Sequence, residues 1–425
     1  MTPGAPVKQA LLDAGISTDV YSSYETSLYQ PVYSIVAKNS NSKEQDRFVS
    51  VINDTLEKLV KDGINERTIE AGINYYEFKY READYGPYPK GLMYYLTMMD
   101  SWLYDETKPF IHIEAGDTFD ELKKDARNGY FEKLIKEYLL DNNHKSIISL
   151  VPEYGLEKEK EQKEADKLAE YKSTLTNDEL EELVKKTKEL KEYQDTPSSQ
   201  EDLEKIPMLE LSDIKREPAK DYNDVKSVDG IKIVHHNIFT NKIAYINMSF
   251  DTKCVPDELI PYMGLLGSTL SLMDTKNYTY PELTNEININ CGGLATGTAL
   301  YSDKVDFSKN TIVYEVKSKA LYEKVPFVLG MMEEIMYNTR FDDYKRLKEI
   351  IARIKSRLEA SLMGQGHSIA MLECCAQFSE SAYYSDILRG YKYYEFIKKL
   401  DEEFEQNKTQ IVDKLNKLVG YIFNK

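Results

Sequence analysis

Residues 311–337 read Thr311-Ile-Val-Tyr-Glu-Val-Lys-Ser-Lys-Ala-Leu321-Tyr-Glu-Lys-Val-Pro-Phe-Val-Leu-Gly-Met-Met-Glu-Glu-Ile-Met-Tyr337. The opening residues predict an apolar strand over 311–316. From 321 to 337 the positions Val325, Val328, Met332, Ile335 and Met336 recur at helical spacing. A second helix is expected over 343–362, then the loop Met363-Gly-Gln-Gly366 and a third helix from near His367. The same order occurs earlier in the chain. There a strand over 32–37 precedes a helix over 42–62 with an apolar face of Phe48, Ile52, Leu56, Leu59 and Val60. A second helix follows over 66–82, then the loop Asp84-Tyr-Gly-Pro-Tyr-Pro-Lys-Gly91 and a third helix over 92–103. Ser42 and Gln45 have the spacing of a capping box, and Gly63 is placed to stop the first helix. The offset is about 280 residues and Gly86 matches Gly366, so the chain is read as a duplicated unit.

Both copies are expected to be incomplete. The second opens with a strand over 243–250 and a helix over 260–273, which the first should possess ahead of Thr2. The first closes with a helix over 130–140 and a strand over 146–151, whereas the second reaches a helix over 410–421 and stops at Lys425. The expected fold class is therefore α+β: two homologous α/β-roll domains, mainly antiparallel sheet packed with helices, joined by a helical hairpin. The expected bounds are 1–155 for a domain lacking its first strand and helix, 156–222 for the connector, and 223–425 for a domain lacking its last strand. Such a chain is the middle piece of something longer.

Residues 157–196 contain neither glycine nor proline, and over half are charged. Leu168, Tyr171 and Leu175 fall on one face of a first helix, and Leu180, Leu183, Val184 and Leu190 on one face of a second. Thr176 and Glu179 form a capping box at the break, which predicts an αα-hairpin. An extended strap with Pro207 and Pro218 is expected over 206–222. A free-standing hairpin that binds partner helices through its leucine stripe is one reading of this segment; a hinge between the copies is the other.

Apolar residues make up 41% of the chain and charged residues 30%, the balance of a globular protein with a real core and a solvated surface. No apolar run is long enough to cross a bilayer, and Met1-Thr-Pro-Gly lacks the basic start and apolar stretch of a signal peptide. Cys254, Cys291, Cys374 and Cys375 show no C-x-x-C spacing and read as reduced thiols, consistent with an intracellular protein. The net charge of −17, with no basic stripe, argues against a nucleic-acid partner. An acidic balance attracts basic peptides, although it also serves plain solubility.

Several separate words in the sequence resemble one family. Thr2-Pro-Gly-Ala-Pro-Val-Lys-Gln-Ala-Leu-Leu-Asp-Ala-Gly15, Ala71-Gly-Ile-Asn-Tyr-Tyr-Glu-Phe78 with Arg81-Glu-Ala-Asp84, and Ser101-Trp-Leu-Tyr-Asp105 resemble the second domain of presequence-protease-type zinc metallopeptidases. His236-Asn-Ile-Phe-Thr-Asn241, Ile243-Ala-Tyr245 and Phe250-Asp251 resemble the opening of that family's third domain. The family belongs to the insulinase and pitrilysin group, the inverzincins. The resemblance implies a monomeric, four-domain clamshell enzyme that degrades unfolded oligopeptides in a closed chamber. Zinc is held in its first domain, and an Arg and a Tyr of the fourth reach the substrate carbonyl. This chain then corresponds to most of domain two, the hinge and most of domain three, with the missing flanking domains and unfolded peptides as partners. It supplies wall and hinge and is expected to be inactive alone. Neither nucleic acid nor membrane is implied. The location is cytoplasmic, as in bacteria, or an organelle matrix if a targeting sequence lies upstream. A structural relative of the same fold that has lost its zinc ligands is the alternative.

A catalytic zinc needs three protein ligands and an open position for water, and H-x-x-E-H supplies two of them with a general base. The five histidines here show neither that spacing nor H-E-x-x-H, so no catalytic, metal or cofactor residue is assigned. His112 and Glu114 are expected on one face of a strand but lack a third ligand, and read as a surface pair. His235 and His236 are adjacent, so on a strand they point to opposite faces and cannot chelate together. His367 lies one and two helical turns from Glu373, Cys374 and Cys375, a vicinal cysteine pair that reads as core. Cys291-Gly-Gly-Leu-Ala-Thr-Gly297 lacks the Lys-Ser/Thr ending of a phosphate loop and reads as a helix-to-strand turn. Gly364 and Gly366 are too few for a nucleotide motif. The 33 tyrosines suit wetted internal walls as well as cores.

Overall fold

The repeat reaches further upstream than the apolar spacing indicates, because a helix and a strand precede the strand at Val32 just as a helix and a strand precede the one at Asn310. The computed structural model describes residues 4–217, 222–306 and 308–423. Thr2 and Pro3 of the opening word, Pro218 of the expected strap and the terminal Lys425 lie outside them. The first repeat runs α1 (Pro6–Asp13), β1 (Asp19–Glu25), β2 (Val32–Lys38), α2 (Gln45–Asp62), α3 (Glu66–Glu82), α4 (Lys90–Trp102), α5 (Gly116–Asp125) and α6 (Tyr130–Leu134), which continues as a π turn over Ile135–Leu140. Next come α7 (Leu156–Thr174), α8 (Asn177–Asp195), α9 (Gln200–Glu204), β3 (Asn223–Val228) and β4 (Ile231–His236). The second repeat runs β5 (Ile243–Asp251), α10 (Ile260–Thr269), α11 (Tyr280–Asn290), β6 (Gly293–Ser302), β7 (Asn310–Leu321), α12 (Val325–Tyr337), α13 (Tyr344–Gly364), α14 (Gly366–Cys375), α15 (Glu380–Arg389), α16 (Tyr391–Glu402) and α17 (Phe404–Ile422). The order α1-β1-β2-α2-α3-α4 is thus repeated by α11-β6-β7-α12-α13-α14.

The chain divides into two units, Met1–Ile147 with Thr240–Lys425, and Ile148–Phe239. In the first unit, β1 and β2 pair antiparallel from Asp19 against Lys38 to Glu25 against Val32. The second repeat has the antiparallel order β5-β7-β6, so its central strand is paired on both edges while β2 is paired with β1 alone among the described residues. Tyr314, Val316, Ser318 and Ala320 alternate along β7 and face the helices. Met263, Leu266, Met332, Ile335, Leu347, Ile397 and Leu415 complete that core. Each such side chain contributes about 1.5–3 kcal/mol on leaving water, which is why the second repeat is the better packed. The first repeat has a smaller core of Val7, Leu11, Ile16, Val20 and Leu56, with Phe48, Ile52 and Leu59 packed on it.

Local chemistry accounts for most helix ends. Thr279 and Glu282 close a capping box at α11, and the Asp343 side chain accepts the Arg346 amide at the start of α13. The expected Ser42 box does not form. Asn41 accepts the Lys43 amide instead and a 3-10 turn leads into α2, because Asn can close this turn from one position earlier. Gly63 does stop α2, in the positive-φ region. The strand expected over 146–151 does not form. Those residues are apolar, but among the described residues no strand lies alongside, and an unpaired strand has no hydrogen bonds to hold it. Helices α15 and α16 and the early half of α17 were not legible from periodicity.

In the second unit no described side chain is buried. Helices α7 and α8 persist through local terms. Thr176 and Glu179 form the expected capping box, and ion pairs such as Lys163–Glu159 and Lys186–Glu182 join successive turns at about 0.3–0.5 kcal/mol each. Leu168, Tyr171, Leu183, Val184 and Leu190 are exposed. Strands β3 and β4 meet at Asp229 and Gly230, both at positive φ as a two-residue hairpin turn requires.

Candidate functional site

Two surfaces of the first unit carry polar and aromatic side chains beyond what packing needs, and both derive from the duplication. The first is the face of the β5-β7-β6 sheet turned away from its helices. Period-two alternation places Glu315, Lys317 and Lys319 of β7 there, beside Tyr245 and Asn247 of β5 and Tyr301 of β6. The Glu315 carboxylate accepts from Asn247 Nδ2 and from the Tyr301 hydroxyl, each at 2.8 Å, and pairs with Lys317 at 2.6 Å. Burial pushes the Glu315 carboxyl up, but the hydrogen bonds from Asn247, Lys317 and Tyr301 outweigh it and hold the group below its ordinary range. A carboxylate so clamped is a poor general base. It serves instead to fix the tyrosine and asparagine on an open wall.

The second surface is the seam between the repeats. Helix α3 of the first packs on α11 of the second, and α1 approaches α13, so equivalent helices meet their opposites. Glu82 at the end of α3 accepts from Lys319 Nζ on both oxygens, at 2.7 and 2.6 Å, and from the Tyr245 hydroxyl at 2.8 Å. Burial, together with that bond to Glu82, pushes the Tyr245 hydroxyl well above its ordinary value. Arg67 pairs with Glu286, Lys345 with Asp13 at 2.6 Å, and Asn285 donates to Thr68 at 3.1 Å. Apolar contact is concentrated where Phe78 lies against Gly292, at the turn from α11 into β6. A mostly polar interface of this kind is typical of bodies within one chain that can separate.

Beside the seam, the first repeat exposes aromatic side chains along α3, α4 and the β1–β2 turn, among them Tyr76, Tyr88, Tyr95, Trp102 and Tyr104. Tyr29 and Tyr104 approach with ring centroids 5.5 Å apart, and Tyr85 and Tyr94 at 5.9 Å. Such rings offer apolar area and hydrogen bonds together, which suits contact with varied peptide.

The residues singled out in the sequence are dispersed. Phe110–Glu114 is a turn and not a strand, with the Glu114 amide bonded to the Phe110 carbonyl, so His112 and Glu114 share no strand face. His235 and His236 lie on β4 and alternate faces. His367 is exposed at the start of α14. Cys374 is exposed and Cys375 half-buried, so the vicinal pair is not core: the apolar side of α14 is covered only partly, by α13 and α15. Glu373 instead meets Asp386 of α15, which is fully buried, and Lys392 lies 3.8 and 3.3 Å from the two. Cys291-Gly-Gly is the helix-to-strand turn expected. Among the described residues no three His, Cys, Asp or Glu side chains are grouped to hold a metal, so those residues do not provide a zinc ligand set of their own. The Glu82–Lys319 pair and the Glu315 network were not found from sequence, since their members are remote in the chain and carry no motif.

A family model for the region associated with peptidases of family M-16, subfamily C, matches residues 150–400. The chain belongs to this peptidase-associated family, within the insulinase and pitrilysin group. It is 39% identical over 421 residues to "Protein HypA" of Clostridium perfringens (strain 13 / Type A), covering 99% of this chain and 43% of that protein. It is 30% identical over 414 residues to "Presequence protease 1, chloroplastic/mitochondrial" of Arabidopsis thaliana, covering 95% of this chain and 38% of the relative. The crystal structure of pitrilysin aligns with a TM-score of 0.37 at 13% identity, over 97% of this chain and 43% of that one. The chain thus spans well under half the length of these relatives. Relatives named as presequence proteases make this a peptidase family. One relative is bacterial and others are named for mitochondria or chloroplasts, so both locations stay open. No described helix is long and apolar enough to cross a membrane.

Proposed function

We propose that this chain forms wall and hinge of a zinc metalloendopeptidase that degrades unfolded oligopeptides in a clamshell chamber. The ligands and the general base then belong to another part of the polypeptide, and the chain is silent by itself. The observation that carries the reading is the duplicated fold with a polar seam. Two related bodies meet through ion pairs at Glu82–Lys319, Arg67–Glu286 and Asp13–Lys345, contacts that water can replace when the seam opens. The wetted face around Asn247, Tyr301 and Glu315 and the exposed tyrosines of the first repeat provide walls that grip peptide without sequence preference. The acidic charge of −17 favours basic peptides.

The test uses the longer polypeptide that contains this chain. It should cleave unfolded peptides, lose activity to a chelator and carry H-x-x-E-H; absence of the motif would make the protein a structural relative. Cysteines replacing Arg67 and Glu286 place a disulfide across the seam. Oxidation should stop turnover of long peptides and reductant restore it. Unaltered rates in the locked protein would refute the role of the seam as a moving part.

A further inference from the structure

The first unit holds more positive charge at one point of its seam than its own acids neutralise. Where α1 and the start of β1 meet α13, a cleft of about 20 Å³ is lined by Lys8, Asp19, Arg346, Glu349 and Arg353, with Arg357 beside it. Three of these cations are accounted for in part. Lys8 donates to Asp19 at 3.3 Å and to the Val20 carbonyl at 2.7 Å. Arg346, only 6% exposed, donates Nε to the Leu272 carbonyl at 3.0 Å and Nη1 to Glu349 at 3.1 Å, and its guanidinium lies over the Tyr280 ring. Its Nη2 is buried with no hydrogen-bond partner. Arg357 is 4.0 Å from Asp19. Arg353 has no hydrogen bond or ion pair among the described residues, and burial, with Arg357 and Arg346 nearby, pushes its guanidinium down to about 10. Burial also lowers the Lys8 ammonium, although Asp19 partly restores it.

Four cations facing two carboxylates leave a surplus of positive charge, in a chain whose total is strongly negative. A buried guanidinium hydrogen that meets no acceptor costs free energy, and native structures rarely leave one so. A water answers an orphaned donor but leaves the charge surplus. An anion answers both. We propose that this cleft is a binding site for a small inorganic anion of about chloride size, held by Arg346 Nη2 and the Arg353 guanidinium of the second repeat with Lys8 of the first. The volume admits about one water-sized species. Because its ligands come from both repeats, the bound ion strengthens the seam. This proposal stands apart from the peptidase reading, since its readout is stability and needs no activity.

The experiment follows the melting temperature of the full chain at constant ionic strength, with bulky gluconate replaced stepwise by chloride or by phosphate. An ion bound by the folded state alone raises Tm by about 2 °C per tenfold above its dissociation constant, for a body of this size. Phosphate acting at lower concentration than chloride assigns an oxyanion; chloride acting alone assigns a halide. In gluconate, Arg353→Met should melt above the wild type, because an uncompensated charge is gone, and it should not respond to either ion. Arg353→Gln carries the same test if the methionine variant does not fold. A wild type indifferent to both anions, or a variant that climbs as the wild type does, overturns the site.

Discussion

Replacing Gly292 by alanine should force the seam apart at one point. Gly292 sits at the turn between α11 and β6, and a Cβ there would lie 1.9, 2.2 and 2.5 Å from three carbons of the Phe78 ring. Carbon atoms in contact need about 3.5 Å, so the ring must retreat by more than an ångström, and α3 carries it. Phe78 is 9% exposed, which leaves little room for a rotamer change in place. The expected cost is that of overpacking, about 1–3 kcal/mol, rising toward the burial energy of the ring if it is expelled. Phe78→Ala alone should cost about 3 kcal/mol by leaving a cavity. In the Gly292→Ala/Phe78→Ala protein the methyl group enters that cavity, so the double variant should be more stable than the sum of the singles by about 1–3 kcal/mol. Urea titration of the four proteins, followed by fluorescence, closes the cycle. Gly293→Ala is the control: its φ is +141° and nothing lies within 4 Å of the added carbon, so its penalty is backbone strain that Phe78→Ala cannot relieve. A neutral Gly292→Ala, or strict additivity with Phe78→Ala, would refute the packing argument.

Lys319→Met leaves the Glu82 carboxylate buried with only the Tyr245 hydroxyl, and should lower stability by about 3 kcal/mol, the low end for a broken buried pair because Lys319 keeps some water; a urea midpoint unchanged from wild type would contradict it. Glu373 shares a hydrogen bond with Asp386 that raises its carboxyl pKa above the ordinary 4.5. A raised pKa means the folded state holds the proton more tightly, so this stabilisation is full below about 4.5 and is lost as pH rises through the folded value. Glu373→Gln keeps a neutral donor, and its melting temperature should exceed wild type at pH 7 and converge with it in acid. Cys254 and Cys374 are exposed, whereas Cys291 is buried and its thiol is pushed up to about 11. A thiol reagent at pH 8 should therefore modify the first two quickly and Cys291 only on unfolding, as mass mapping would show.

The helical part of the fold was largely legible. The bounds of α2, α3, α12 and α13 fall within a few residues of those read from apolar spacing, and the Thr176 box stands where its pattern put it. The candidate site was hardly legible at all. Glu82 and Lys319 are separated by most of the chain, Asn247 and Glu315 meet through strand register, and neither distance nor register is written in a local pattern. His112 and Glu114 show the opposite error: alternation suggested a strand where, among the described residues, no neighbouring strand exists, and a turn formed instead.

The amino-acid sequence by itself determined the duplication, the helices and their stops, because a helix satisfies its backbone within a few residues and announces its buried face by periodicity. The tertiary structure alone decided which extended segments became strands: Asp19–Glu25 found β2, and residues 146–151 found no described partner. It also decided that Phe78 would close on Gly292 and that Lys8, Arg346 and Arg353 would crowd one cleft. Sheets, seams and charge clusters need partners distant in the chain, and their energies exist only once the fold has brought those partners together.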